Sequence, residues 1–563
     1  MAEELYEKDP GHQELPPWQR WAARIFHWSV YIAVGTYVVV RYTTSEVNAN
    51  LPVTLGAALN DTLIKSTYYG VTRYWDLSDR EWREGRRFLL SAWPWLLLHS
   101  VIGRALGHVR PSVLPGYHVT YSLIFVALVL GWQSACLFIF EHAVFFALSC
   151  IGVRTLCYVV GVLMVAHYDL SGYDLLHVVF QAHGRHAYHI TTVAFYWSVL
   201  RGCSFCLDAL MRSEADSDPT AKGGRTCLAE YFKTLAYTLY LPPLYLGPVQ
   251  NYCDFVASME KPKPPLTIRE VVTVVAGLVR SGAHLLLMDL LCHYFYSAAL
   301  INAPVLVSRL DTTSLVGLGV ILNIMFYMKY RVNYGAAVSC ARIEGHTLPA
   351  PPKCIARVHL CSHFWRYFDN GLHLWIKRYV YVPISGPERK AARRILGIAV
   401  AFACVWVWHS MTTAVTFWAV LSFTGIALEV VAALIKRLDC AKSFEAKHLT
   451  PERTRILKAI VGSFHYLLTA TACMFYLVDT EMTVMMIKRI ILGFSVLPLL
   501  ATMYCGAYAS QDILEWEAKL AAAKVIEPRV DLEGARRIET AVEDDAGDQG
   551  AAKGMKSKYV DVP

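Results

Sequence analysis

Charge is scarce in this chain of 563 residues: Asp, Glu, Lys and Arg make up 17% of it, against about 25% in soluble domains. With 55% hydrophobic residues, that deficit excludes an ordinary soluble protein. A secretory signal is also lacking. Met1–Gln19 is polar and rich in Glu and Pro, without a basic start, an apolar run and a small-residue cleavage site. The first apolar helix is therefore expected to act as an uncleaved signal-anchor. No internal repeat is visible. The fifteen cysteines are an odd number, mostly inside apolar runs, as Cys136, Cys150, Cys292 and Cys404 are, which favours buried free thiols over a disulfide framework. Cys203-Ser204-Phe205-Cys206 has no second Cys-x-x-Cys pair to complete a metal site.

What the chain has is apolar runs, among them Ile25–Val40, Phe88–Ile102, Val119–Trp132, Leu156–His167, Thr191–Met211, Val271–Asn302, Ile395–His409 and Met486–Ala509. At ~20 residues per crossing, they predict an all-α polytopic membrane protein with roughly ten to twelve membrane helices, some of them broken or re-entrant. The net charge of +8 gathers beside those runs, at Arg80–Arg87, Arg212–Lys233, Lys261–Arg269, Lys377–Arg394 and Lys436–Lys458. Such clusters mark cytosolic faces and need no nucleic acid to explain them. They also suit an anionic leaflet or the phosphates of CoA. Tyr42–Arg87 reads as a long polar loop carrying one sequon, Asn60-Asp61-Thr62. From Gln511 the chain turns polar without apolar periodicity. One domain border follows, dividing a membrane core, 1–510, from a polar and partly disordered tail, 511–563.

Two ionisable residues stand out against the apolar background, Asp369 and His409. An aspartate at mid-bilayer costs roughly 2.5–3.5 kcal/mol on insertion scales, so one that is kept points to function. Asp369 follows the helix-breaking Pro349-Ala350-Pro351-Pro352-Lys353 in a pattern that places Trp365, Asp369 and His373 on one helical face. Pro383 and Gly386-Pro387 are expected to end that helix. A broken, partly polar segment at membrane depth is tolerated only against protein or a water-filled cavity, so this one is expected to wall a cavity. His409 lies roughly 21 Å along a helix from Ile395, and Asp369 roughly 12 Å from Lys377, which suits two substrates meeting from opposite faces. The pair also fits a buried helix–helix lock or the relay of a proton-coupled transporter, although the inverted repeats common in transporters are not seen. His183, His186 and His189 read as a polar loop rather than a metal site, because no carboxylate or thiol nearby completes a set. His284 and Asp289 either line the cavity or pair with neighbouring helices.

The run Trp365-Arg366-Tyr367-Phe368-Asp369-Asn370-Gly371-Leu372-His373, continuing into Ile376-Lys377-Arg378-Tyr379-Val380-Tyr381-Val382-Pro383 and resumed at Val407-Trp408-His409, resembles the membrane-bound O-acyltransferase (MBOAT) family. It most resembles the hedgehog acyltransferase branch, where Asp replaces the Asn that the larger family usually carries at 369. Tyr240–Pro248, Asp76–Trp82 and Pro351-Pro352-Lys353-Cys354 support the match, which covers most of residues 20–510. Ser410, where the family often has Gly, and the long tail depart from it.

The resemblance implies a helical bundle around a central cavity, in the endoplasmic reticulum or Golgi membrane. It implies transfer of a palmitoyl group from palmitoyl-CoA to the N-terminal cysteine amine of a secreted, hedgehog-like signalling protein. His409 is then the base, suited by an ordinary pKa of ~6.5, and Asp369 orients the incoming amine. Trp365, Arg366, His373 and Trp408 are expected to line the acyl-CoA cavity, whereas Lys377 and Arg378 read as ordinary membrane anchors. Cys354 takes the place of a haem-thiolate ligand, with a free or palmitoylated thiol as the plainer reading. O-acylation of a lipid or protein hydroxyl is the alternative within the class.

Overall fold

The computed structural model describes residues 16–55, 61–68, 70–215, 227–261, 263–355, 359–387, 390–493 and 496–545. Helices α1 (Pro17–Thr43) and α2 (Glu46–Leu55) come first, followed by a hairpin of β1 (Leu63–Tyr68) and β2 (Val71–Asp76). Next are α3 (Arg80–Val109), α4 (Leu114–Val129), α5 (Trp132–Ile151), α6 (Arg154–Ser171) and α7 (His177–Ala215). The middle of the chain forms α8 (Cys227–Thr238), α9 (Tyr252–Glu260), α10 (Ile268–Cys292), α11 (Ser297–Leu300), α12 (Pro304–Ser308) and α13 (Thr312–Ile343). The last third carries α14 (Cys361–Phe368), α15 (Asn370–Ile376), α16 (Val382–Ser385), α17 (Ala391–Trp408), α18 (Thr413–Ile435), α19 (Asp439–His448), α20 (Pro451–Leu477), α21 (Thr480–Ile487) and α22 (Val496–Asp545).

Ten helices among the described residues are long and apolar enough to cross a bilayer, or eleven if a bent pair beginning at Thr480 counts as one. The protein is a multi-pass membrane protein. The run Leu156–His167 forms α6 but is not among the ten. The most enclosed spans are α7 and α13, and the other helices pack around them. Two parts of the sequence reading need correction. The supposed loop Tyr42–Arg87 contains α2 and the antiparallel hairpin, in which Leu63 pairs with Asp76 and Tyr68 with Val71. Asp76 then fastens the hairpin by accepting the Ala299 amide of α11 at 3.0 Å. His183, His186 and His189 lie on α7 rather than in a loop, and the helix kinks at Gly184, where φ is 77°. Asn60 of the sequon lies outside the described residues.

Packing divides the chain into one compact unit ending at Tyr508 and a second beginning at Ala509. The second is helical through Asp545, while the rest of the tail, from 546, lies outside the described residues.

One buried ion pair joins two helices inside the first unit. Asp289 on α10, 2% exposed, accepts both Arg86 Nε, at 2.8 and 2.9 Å, and Arg86 Nη2 at 2.8 Å from α3. That geometry places Asp289 in a helix pair and not on the cavity. Removing one partner of a buried ion pair strands the other charge, at about 3–5 kcal/mol. Arg86→Ala is therefore expected to lower the unfolding midpoint in detergent sharply. Arg86→Met combined with Asp289→Leu, which removes both charges, should recover most of that loss.

Candidate active site

The segment that carries Asp369 is broken three times, each for a local reason. α14 ends at Asp369, whose backbone (φ −122°, ψ 86°) leaves the helix, and the Asp369 carboxylate then caps α15 by accepting the Leu372 amide at 2.9 Å. An aspartate is suited to that position because its short acidic side chain satisfies an amide that has no helical partner. Trp365, Asp369 and His373 therefore belong to two short helices and do not share one helical face, as the spacing predicts. After α15 comes a π-helical turn, Lys377–Tyr381, a feature often found at functional sites. Pro383 does not stop the chain there. It sits in the first turn of α16, and the Tyr379 carbonyl, four residues before a proline that has no N–H to give, accepts the Tyr158 hydroxyl of α6 instead. The turn of helix ends at Gly386, where φ is 66°.

Gly371 lies directly against the chain at Val249. A Cβ at 371 would come within 2.5 Å of the Val249 carbonyl oxygen and 2.9 Å of its nitrogen. These are backbone atoms that cannot swing aside, and overpacking of this kind costs about 1–3 kcal/mol. Gly371→Ala is expected to displace Asp369 and cut turnover at least tenfold. Full turnover in that variant would show that the approach is not needed.

His409 sits just past the end of α17. Ser410 and Met411 follow with φ of 67° and 49°, two consecutive left-handed residues that are not glycine. Such strain clusters where a site holds it in place, and a glycine there would adopt the conformation freely.

Asp369 and His409 line the same cavity, of about 1300 Å³. Trp365, Arg366, His373 and Trp408 line it as well. Asp369 Oδ2 accepts the Tyr334 hydroxyl of α13 at 2.7 Å. The His409 ring is held edge-on by Trp418 and Tyr476, both at 5.1 Å between centroids, with the Tyr476 hydroxyl 3.5 Å from Nδ1. Trp365 stands perpendicular to Phe402 at 4.8 Å, and Trp408 meets Trp197 at 5.5 Å.

The cavity has two chemically different ends. Arg394 and Lys377 line it near the start of α17, whereas His409 lies fifteen residues further along, roughly 22 Å at 1.5 Å per residue. Glu81 also lines the cavity, and its carboxylate pairs with Lys329 at 2.6 Å.

Several residues at the site are not apparent from the sequence reading, among them Phe326 and Tyr330, which line the cavity, and Tyr334, which binds Asp369. Phe326, Tyr330 and Tyr334 lie at i, i+4 and i+8, so they form one stripe on α13, and that spacing was the available signal. Glu81 and Tyr476 carry no comparable local mark. Lys377 proves to line the cavity, but Arg378 turns away to Asp208, with Nη2 at 2.8 Å. His189 lines the cavity, while His186 pairs with Glu84 at 2.7 Å. Cys354 is exposed and does not line the cavity. A haem held by its thiolate would therefore lie outside the acyl-transfer cavity.

Comparison with known proteins bears directly on this site. Residues 186–463 match the model of MBOAT, the membrane-bound O-acyltransferase family, a stretch that includes both Asp369 and His409. The protein-cysteine N-palmitoyltransferase Rasp of Drosophila melanogaster is 25% identical over 75% of this chain and 84% of its own length. The chain belongs to the membrane-bound O-acyltransferase family. This acyltransferase is also similar to two mouse (Mus musculus) proteins. Protein-cysteine N-palmitoyltransferase HHAT is 30% identical over 44% of this chain and 49% of its own length. The HHAT-like protein is 25% identical over 80% and 86%. The relatives' names imply an acyl-CoA donor.

Proposed function

We propose that this acyltransferase moves a palmitoyl group from palmitoyl-CoA to the N-terminal cysteine amine of a secreted, hedgehog-like protein, in the endoplasmic reticulum membrane. The observation that carries the reading is the single cavity shared by Asp369 and His409. Lys377, Arg394 and Arg366 meet the CoA phosphates, for which Arg gives bidentate donors and Lys a point charge. The fatty chain lies along the aromatic and aliphatic wall beside α17, with its thioester near His409. The acceptor's amine enters at the end where Glu81 and Asp369 supply negative charge.

The bond-making step is conventional. Asp369 orients the amine, and the amine nitrogen attacks the thioester carbonyl carbon. His409 takes the nitrogen's proton through Nε2, since Tyr476 faces Nδ1. The C–S bond then breaks, and the proton passes to the departing CoA thiolate, so an amide and free CoA result. No step involves haem.

The test uses the purified protein, labelled palmitoyl-CoA and three peptides beginning with Cys, Ser or acetyl-Cys. Label is expected on the Cys peptide and absent from the acetylated one. Undiminished labelling of the acetylated peptide would contradict amide formation. Preference for the Ser peptide, with label released by mild base, would place the enzyme among hydroxyl acylators instead.

A further inference from the structure

A second cluster of reactive side chains lies away from the cavity. His99 of α3, His118 of α4 and Glu344, which follows α13, are fully buried, and a ligand atom from each lies within 4.8 Å of the others. His118 Nε2 is 3.1 Å from Glu344 Oε1, and His99 Nδ1 is 3.8 Å from Glu344 Oε2. None of the three lines the cavity, and the acyl-transfer chemistry does not use them.

Hydrogen bonding alone leaves these groups poorly satisfied. At 3.1 Å, His118 Nε2 and Glu344 Oε1 are close enough to bond but not aligned to do so, and neither has another hydrogen-bond partner. His99 Nδ1 is also unpartnered. Two donors to one ion sit in this way, near each other but aimed at a third point. Zinc bonds of ~2.0–2.2 Å in a tetrahedron hold their ligand atoms roughly 3.4 Å apart, between the two observed separations.

The surroundings also fit an ion. Glu344 Oε2 accepts the Tyr240 hydroxyl at 2.7 Å, an outer contact of the kind that fixes a ligating carboxylate. Gly103 leaves the room that the carboxylate occupies, since a Cβ there would lie 2.1 Å from Oε1. His346 is buried beside the cluster with both ring nitrogens unpartnered, its ring 6.4 Å from that of His118. Of the nearby cations, Lys263 donates to the Ser258 carbonyl at 2.7 Å while its charge still acts on Glu344, and Arg104 donates to the Pro264 carbonyl. The remaining nitrogens, His118 Nδ1 and His99 Nε2, face each other at 3.2 Å.

We propose that His99, His118 and Glu344 bind a structural divalent transition metal, zinc by donor set, with His346 placed to supply a fourth ligand. The ion ties the later part of α3 and the first turns of α4 to the end of α13, the helix that carries Tyr334.

The test is metal analysis of the full-length protein purified in detergent without chelator. About one zinc per chain is expected in wild type, and the same amount in His409→Ala, whose altered residue lies in the other site. His118→Ala should lose at least tenfold of that zinc. A second measurement needs no variant: after dialysis against chelator, the wild-type unfolding midpoint should fall and return on adding zinc. Zinc below about a tenth of one equivalent in wild type, with a midpoint indifferent to both chelator and added zinc, would overturn the proposal. So would a folded His118→Ala that retains its metal.

Discussion

His409→Ala is expected to lose amide formation by about a thousandfold, the middle of the range that a positioned acid–base group contributes, while still binding palmitoyl-CoA. The two measurements separate because His409 and Arg394, at the other end of α17, are roughly 22 Å apart. Donor affinity, followed with a non-hydrolysable acyl-CoA analogue, should change little more than twofold. The turn after His409 supplies its own control, since the left-handed Ser410 and Met411 set where the ring sits through the backbone and not through the imidazole. Wild-type turnover in His409→Ala would remove the histidine from the mechanism. Loss of donor binding together with turnover would mean that its role lies in shaping the cavity.

The second large effect is expected for Asp369→Asn. Asparagine caps a helix about as well as aspartate does, so α15 should keep its start at the Leu372 amide through Oδ1, while the amide NH2 takes the place of Oδ2 and the Tyr334 hydroxyl turns from donor to acceptor. The negative charge and one acceptor are lost. The amine should then bind and orient poorly, and kcat/KM for the Cys peptide should fall about a hundredfold, or close to 3 kcal/mol of transition-state stabilisation, with donor binding intact. Asp369→Ala should do the same and in addition lose roughly 1 kcal/mol of helix capping. Unchanged peptide kinetics in Asp369→Asn would show that negative charge at this position plays no part. The variant also tests whether a Ser peptide gains ground as the Cys peptide loses it.

How much of this was legible in the sequence follows from the range of each signal. The spanning helices were readable because apolar length is a local property, and α17 with its terminal histidine stood out on that ground. Asp369 was readable because a carboxylate is costly among apolar residues. Its capping of α15 was not, since the pattern on either side continues at helical spacing and the break appears only in the backbone. The passage through Pro383 was equally hidden, because the hydroxyl that stands in for the missing amide belongs to Tyr158, far away in sequence. The hairpin Leu63–Asp76 was missed within a region read as polar loop, where its anchor is the Ala299 amide of α11. Glu81 reaches the cavity only through the fold. The aromatic stripe on α13 was within reach, as its four-residue spacing shows.

The origin of Glu81 has a consequence for how such enzymes diversify. It comes from the start of α3, ahead of the stretch 186–463 that matches the family model, whereas Lys377, Arg394 and His409 fall inside that stretch. On the reading proposed above, handling of the thioester and the amine-orienting Asp369 both come with the common core, and Glu81 adds a further recipient-side charge from outside it. Chimaeras that exchange only the leading helices between relatives should therefore change which proteins are lipidated without altering the fuel they use.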